Sequence, residues 1–178
     1  MASEHFVCAM ADAYLSRGYG MSTSIVVGIS ENATMSIFSK ALDIARSRDA
    51  RIIAVHVFDC PIPCRARLDY CNWESMIAAE RARGRMTLER ALARFDNGVP
   101  AVEGRMLMRG TTGSTVGRDI ASICEASDAD LVILGSRRQG WWRFLDEDVA
   151  RNVRRHTSTP VQIVDVAFDD ARPREHRS

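Results

Sequence analysis

The sequence predicts a doubly wound, Rossmann-like α/β domain built on a five-stranded parallel sheet, and three observations carry that expectation. Short β-branched runs recur at 24–29, 51–58, 101–108, 130–134 and 161–166. Apolar residues at helical spacing fill the intervals between them. The runs themselves are nearly continuous in apolar residues, as in Leu131-Val-Ile-Leu134, which marks strands buried on both faces of a sheet covered by helices.

Each element follows in order. Ahead of the first run, 3–17 places Val7, Ala11, Tyr14 and Leu15 at helical spacing before Gly18, so a short amphipathic helix is expected there. Met21 stands just before the first strand and is a second candidate start, which makes 1–20 an extension that is either helical or untranslated. The first helix is read from Phe38, Leu42 and Ala45, and the second from Leu88, Ala91, Leu92 and Phe95. A third carries Val116, Ile120, Ile123 and Cys124, and a fourth Val149 and Val153. The domain is expected over 21–167, and the charged tail 168–178, which contains Pro173, is expected to be disordered.

A length of 178 residues suits one domain, and 46% apolar beside 26% charged residues is ordinary for a globular chain. The net charge of +1, with arginines spread over several segments, gives no electrostatic case for nucleic acid. No apolar run reaches the roughly 18 residues of a spanning helix, and Glu4, His5, Asp12 and Arg17 break any signal-peptide core, so a cytoplasmic protein without membrane association is expected. Five irregularly spaced cysteines fit reduced thiols.

In open sheets of this kind ligands sit beyond the strand C-terminal ends, so the segments after Ile29, Phe58, Met108 and Leu134 hold any site. Arg109-Gly-Thr-Thr-Gly-Ser-Thr-Val-Gly117 follows a strand and enters a helix, but it lacks a P-loop lysine and the dinucleotide spacing. Ser114 or Thr115 is better read as a helix cap. His56, Cys60, Cys64 and Cys71 gather soft donors after the second strand. They leave a metal or thiol sensor open, although Cys-x3-Cys without a second pair is an incomplete ligand pattern and His56 also suits a packed strand position. Cys124 lies on an apolar helical face and is read as core.

No nucleophile elbow, zinc-protease motif or complete P-loop is present, so no catalytic residue is assigned and an enzyme is not expected. Trp141 and Trp142, flanked by Arg137, Arg138 and Arg143, have the composition of a protein contact, with ordinary packing of both rings as the alternative. Asp146, Glu147 and Asp148 stand at the expected start of the fourth helix, where free amides and the dipole would favour an anion. Asp is also a good N-cap, and Arg151, Arg154, Arg155 and His156 complement the dipole toward the other end.

Three stretches together resemble the universal stress protein family over roughly 23–166. They are Ser24-Ile-Val-Val-Gly-Ile29 leading into Ser39-Lys-Ala-Leu-Asp-Ile-Ala45, then Ala54-Val-His-Val57, and then Ala129-Asp-Leu-Val-Ile-Leu-Gly-Ser136 running to Thr159-Pro-Val-Gln-Ile-Val164. The resemblance implies strand order 3-2-1-4-5 and commonly a homodimer joined through the fifth strands, here Pro160, Val161, Ile163 and Val164. Binding members of the family end the first strand with Asp and carry a loop of Gly, two residues, Gly, nine residues, then Gly-Ser or Gly-Thr. This chain follows Ile29 with Ser30-Glu31, keeps Gly135, places Arg138 at the second glycine, and puts Glu147-Asp148 before Val149 where the closing pair belongs. Each carboxylate within about 4 Å of a phosphate repels it by ~1–4 kcal/mol, and no glycine or hydroxyl replaces the lost donors.

The first expectation is therefore a dimeric regulatory or interaction module in stress response, of the kind that holds no ATP and has no cofactor. The alternative is an ATP or AMP sensor, with slow hydrolysis conceivable. It would use Gly135, Ser136, Arg138, Gly140 and Val149 from the degenerate loop, with Ser30 and Val57 from the first two strand ends. Trp141 and Trp142 are the candidate partner contact.

Overall fold

The computed structural model describes residues 23–59, 73–95, 98–109, 115–136 and 148–165. Within them strands and helices alternate: β1 (Ser24–Gly28), α1 (Met35–Arg48), β2 (Arg51–Asp59), α2 (Trp73–Phe95), β3 (Val102–Arg109), α3 (Val116–Ala126), β4 (Leu131–Gly135), α4 (Val149–His156) and β5 (Val161–Val164). The strands form one parallel sheet in the order β3-β2-β1-β4-β5. Central β1 pairs Ile25 with Ile52 of β2 on one side and with Leu131 of β4 on the other. The expected fold class, strand order and alternation are all present.

Period-two alternation divides the core between the two faces of this sheet. Ile25, Val27, Ile52 and Ala54 pack with Phe38, Ala41 and Ala45 of α1 and with Leu88, Ala91 and Phe95 of α2. Val26, Ile53, Val55 and Val132 pack with Ile120, Ile123 and Cys124 of α3 and with Val153 of α4. Because the central strands contribute to both layers, β1 beyond Ser24 and the whole of β4 read as continuous apolar runs.

α2 is longer than its apolar pattern suggests. Only its C-terminal part presents buried Leu88, Ala91 and Phe95 to the sheet, whereas Glu74, Ser75 and Met76 are exposed. Periodicity finds only the part of a helix that packs. β5 ends at Val164, short of the expected 166, and Asp165 beyond it is exposed.

Polar groups close the N-terminal end of the sheet. The buried Ser24 gives its backbone N–H to Asp130 Oδ2 at 2.8 Å and its hydroxyl to the Ser127 carbonyl at 3.1 Å. Asp49 ends α1 in the left-handed region at φ 49°, a conformation a short polar side chain tolerates. Among the described residues, no helix is long and apolar enough to cross a membrane.

Cys124 is 1% exposed within the α3 layer, and burial, the largest cause, pushes its thiol up from 9.0 to about 11. The neutral thiol is therefore favoured by folding, and this contribution is present below pH 9 and lost as pH rises from about 9 through about 11. Two outcomes are expected. Iodoacetamide should label Cys124 at pH 8 only after unfolding, and Cys124→Ser should flatten the fall in stability above pH 9. Labelling of Cys124 in the native protein at the rate of a free thiol would contradict the burial.

Candidate functional site

The connection after β1 enters α1 on one face of the sheet, and the connection from β4 leads to α4 on the other. β1 and β4 are neighbours, so their C-terminal ends diverge at the switch point of the sheet. Ser30 is exposed just past β1, Val57 is half-buried near the end of β2, and Gly135 closes β4 with Ser136 following it. The topology thus brings Ser30, Val57, Gly135 and Ser136 to one edge of three adjacent strands. A turn from the Ser30 carbonyl to the Ala33 N–H, 3.0 Å, carries the chain into α1. Leu134 leans over Gly28, where a Cβ would lie 2.6 Å from its Cδ2 and 3.6 Å from Ile120 Cδ1. These apolar groups form the floor beneath that edge.

His56 braces the same edge from below. It is 5% exposed, and its Nδ1 lies 2.8 Å from the Ile29 carbonyl. A carbonyl only accepts, so Nδ1 carries the proton and the ring ties the end of β2 to the last turn of chain before Ser30. The ring packs against Gly84 of α2, where a Cβ would meet His56 Cδ2 and Met106 Sδ at 3.1 Å each. This is the packed strand position that the sequence offered as the alternative to a metal ligand. Cys60, Cys64 and Cys71 lie outside the described residues. Among the described residues, no group of three or more His, Cys, Asp or Glu is placed to hold a metal.

At the far side of the edge, α4 begins at Val149 with Asp148 as its N-cap. The Asp148 carboxylate accepts the Arg151 backbone N–H at 3.0 Å, and Arg154, Arg155 and His156 fill the last turn. The negative cap and the basic end both complement the helix dipole, and the cap alone is worth about 1 kcal/mol. One of the amides that would greet a phosphate is therefore already engaged by the chain's own side chain. Thr115 caps α3 in the same way, accepting from the Arg118 N–H at 3.2 Å, as the capping reading of that loop expects. Gly117, the second residue of α3, lies directly against α4: a Cβ there would stand 2.5 Å from Asn152 Cβ and 2.7 Å from the Val149 carbonyl.

The remaining sequence candidates divide in two. Arg138, Gly140, Trp141, Trp142, Asp146 and Glu147 lie outside the described residues. Pro160, Val161, Ile163 and Val164 form the edge beside β4, with the Pro160 carbonyl accepting from Val132 N–H at 2.8 Å and the Val164 carbonyl from Ser136 N–H at 2.7 Å. Val161 and Val164 pack against the two core layers, which leaves Ile163, 42% exposed, as the large apolar side chain on the strand surface. The His56–Ile29 link and the Gly117 contact had no motif to announce them. A glycine inside a helical pattern was the one available hint of close packing.

A family model described as the universal stress protein family matches residues 21–165. Among solved structures, universal stress protein UspA from Lactobacillus plantarum is 18% identical with a TM-score of 0.64, covering 82% of this chain and 99% of its own. The universal stress protein from Archaeoglobus fulgidus in complex with dAMP is 24% identical with a TM-score of 0.54, covering 80% and 97%. A universal stress protein family protein from Arabidopsis thaliana with AMP bound is 20% identical with a TM-score of 0.53, covering 86% and 97%. No curated protein matches the sequence significantly.

Proposed function

The chain belongs to the universal stress protein family, and from that premise we propose that it is a regulatory member that leaves the triphosphate site unused and works as a homodimer through β5. The observation that carries this reading is the Asp148 carboxylate on the first-turn amide of α4. A phosphate brought to that helix start would displace a satisfied cap and face a charge of its own sign, at ~1–4 kcal/mol per close pair. The dimer rests on a simple physical need. Among the described strands β5 is an edge, with Ile163 exposed, and a second copy would pair along that edge and cover that side chain. Trp141 and Trp142 supply the candidate contact for a further protein partner, and the expected compartment is the cytoplasm.

A second reading is favoured by the family relatives with dAMP and AMP bound. A nucleoside monophosphate makes less use of the loop and more of the strand ends, where Ser30, Val57, Gly135 and Ser136 converge; Arg138, Gly140 and Val149 remain the candidates that the sequence offers from the degenerate loop. Calorimetric titration with ATP and magnesium, and separately with AMP, distinguishes the two. The first reading expects no saturable heat from either nucleotide. It also expects a light-scattering mass near twice 19.8 kDa, falling to one chain in Ile163→Glu. Saturable micromolar AMP binding would move the conclusion to a nucleotide sensor, and a wild-type monomer at micromolar concentration would remove the dimer.

A further inference from the structure

The geometry points to Met35 as an oxidation site whose sulfoxide is held by the Arg94 guanidinium, so that two-electron oxidation by a hydroperoxide tightens the junction of α1 and α2. Met35 opens α1 at 60% exposure, the largest among the exposed large apolar side chains of the described residues. Arg94, in the last turn of α2, donates from Nη1 to the Met35 sulfur at 2.9 Å. The guanidinium is itself positioned, because its Cζ lies 4.9 Å from the centroid of the buried Phe38 ring, and Phe38 rests on Phe95 at 5.3 Å. A cation seated on an aromatic face keeps its remaining donors directed outward.

The chemistry balances without a cofactor. A sulfur lone pair attacks one oxygen of the hydroperoxide, the O–O bond breaks, an S–O bond forms, and the other oxygen leaves as water or alcohol after proton transfer. Sulfur loses two electrons and the peroxide gains them. A thioether is a weak acceptor, whereas the sulfoxide oxygen is a strong one, so the guanidinium that already touches the sulfur would shift to bond the product oxygen more strongly. Elsewhere sulfoxide formation disrupts apolar packing, but here the side chain is exposed and already faces a donor. A thiol-dependent sulfoxide reductase is the class of enzyme that would reverse it.

The test uses dilute hydrogen peroxide on the full chain, with peptide mapping by mass spectrometry and thermal unfolding before and after. Met76, Met86 and Met108, at 41%, 51% and 43% exposure, serve as internal comparators. Met35 should convert at least as fast as these. Oxidation should change Tm more favourably in the wild type than in Met35→Leu, by about 2 °C, which is the size expected from one added charge-assisted hydrogen bond in a chain of this length. That gap should vanish when both backgrounds carry Arg94→Ala, or Arg94→Leu where the alanine variant does not fold. The proposal is overturned if Met35 stays a thioether while the comparators convert, if the wild type shows no gap, or if the gap survives without Arg94.

Discussion

Phe95→Ala is expected to lower folding stability by about 3–5 kcal/mol and Tm by roughly 10 °C. Phe95 is fully buried at the end of α2 and sits against Phe38 of α1, with ring centroids 5.3 Å apart and planes tilted by 56°. Two effects add. Truncation removes one of the largest buried side chains and leaves a cavity between the two helices and the sheet, and it removes an edge-tilted aromatic pair worth ~0.5–1.5 kcal/mol beyond area. The long N-terminal part of α2 makes few buried contacts, so its C-terminal anchor carries a disproportionate share of helix docking. Urea denaturation should show a lower midpoint at unchanged slope. A loss under 1 kcal/mol would mean that the layer collapses to fill the space and that Phe95 is no anchor.

Gly117→Val is expected to cost about 3 kcal/mol, at the upper end of overpacking effects. Two of the three atoms nearest to the added Cβ belong to the α4 backbone, the Val149 carbonyl at 2.7 Å and the Val153 nitrogen at 2.9 Å. Backbone atoms in a capped helix cannot rotate aside, so α4 as a whole must shift. Gly117→Ala decides between competing effects. Helix propensity alone favours alanine by about 1 kcal/mol, whereas the contact at 2.5 Å to Asn152 Cβ opposes it. The steric effect should win, giving a net loss of ~1–2 kcal/mol. Hydrogen exchange should show the loss concentrated in α4 and in β5, which follows it directly. An alanine variant more stable than the wild type would show that the two helices separate easily.

How much of this was legible in the sequence depends on where each residue's partner lies. Strands such as Ser24–Gly28 and Leu131–Gly135 were readable because both of their faces are buried, and α3 because Ile120, Ile123 and Cys124 repeat along one side. The N-terminal half of α2 was not readable, since exposed residues such as Glu74 and Met76 impose no period. The helix caps Thr115 and Asp148 were visible as residue types in the right place. The His56 bond to the Ile29 carbonyl and the approach of Gly117 to α4 were hidden, because each joins segments that are distant along the chain or pits a glycine against another helix. Ser30, Val57, Gly135 and Ser136 were chosen by resemblance, and the sheet order explains why residues so far apart in sequence reach one edge.

The two core layers also fix an order of events during synthesis. Residues up to Arg109 supply β1, β2 and β3 and both helices of the α1/α2 layer, which Leu131 and Ile133 of β4 complete later. The opposite side of those strands, with Val26, Ile53 and Val55, stays bare until α3 and β4 have left the ribosome, because its covering residues begin at Val116 and β4 must insert beside β1 across more than a hundred positions, Ile25 to Leu131. A half-made chain thus carries a bare apolar face, and the interval before α3 and β4 arrive is when that face is open to aggregation.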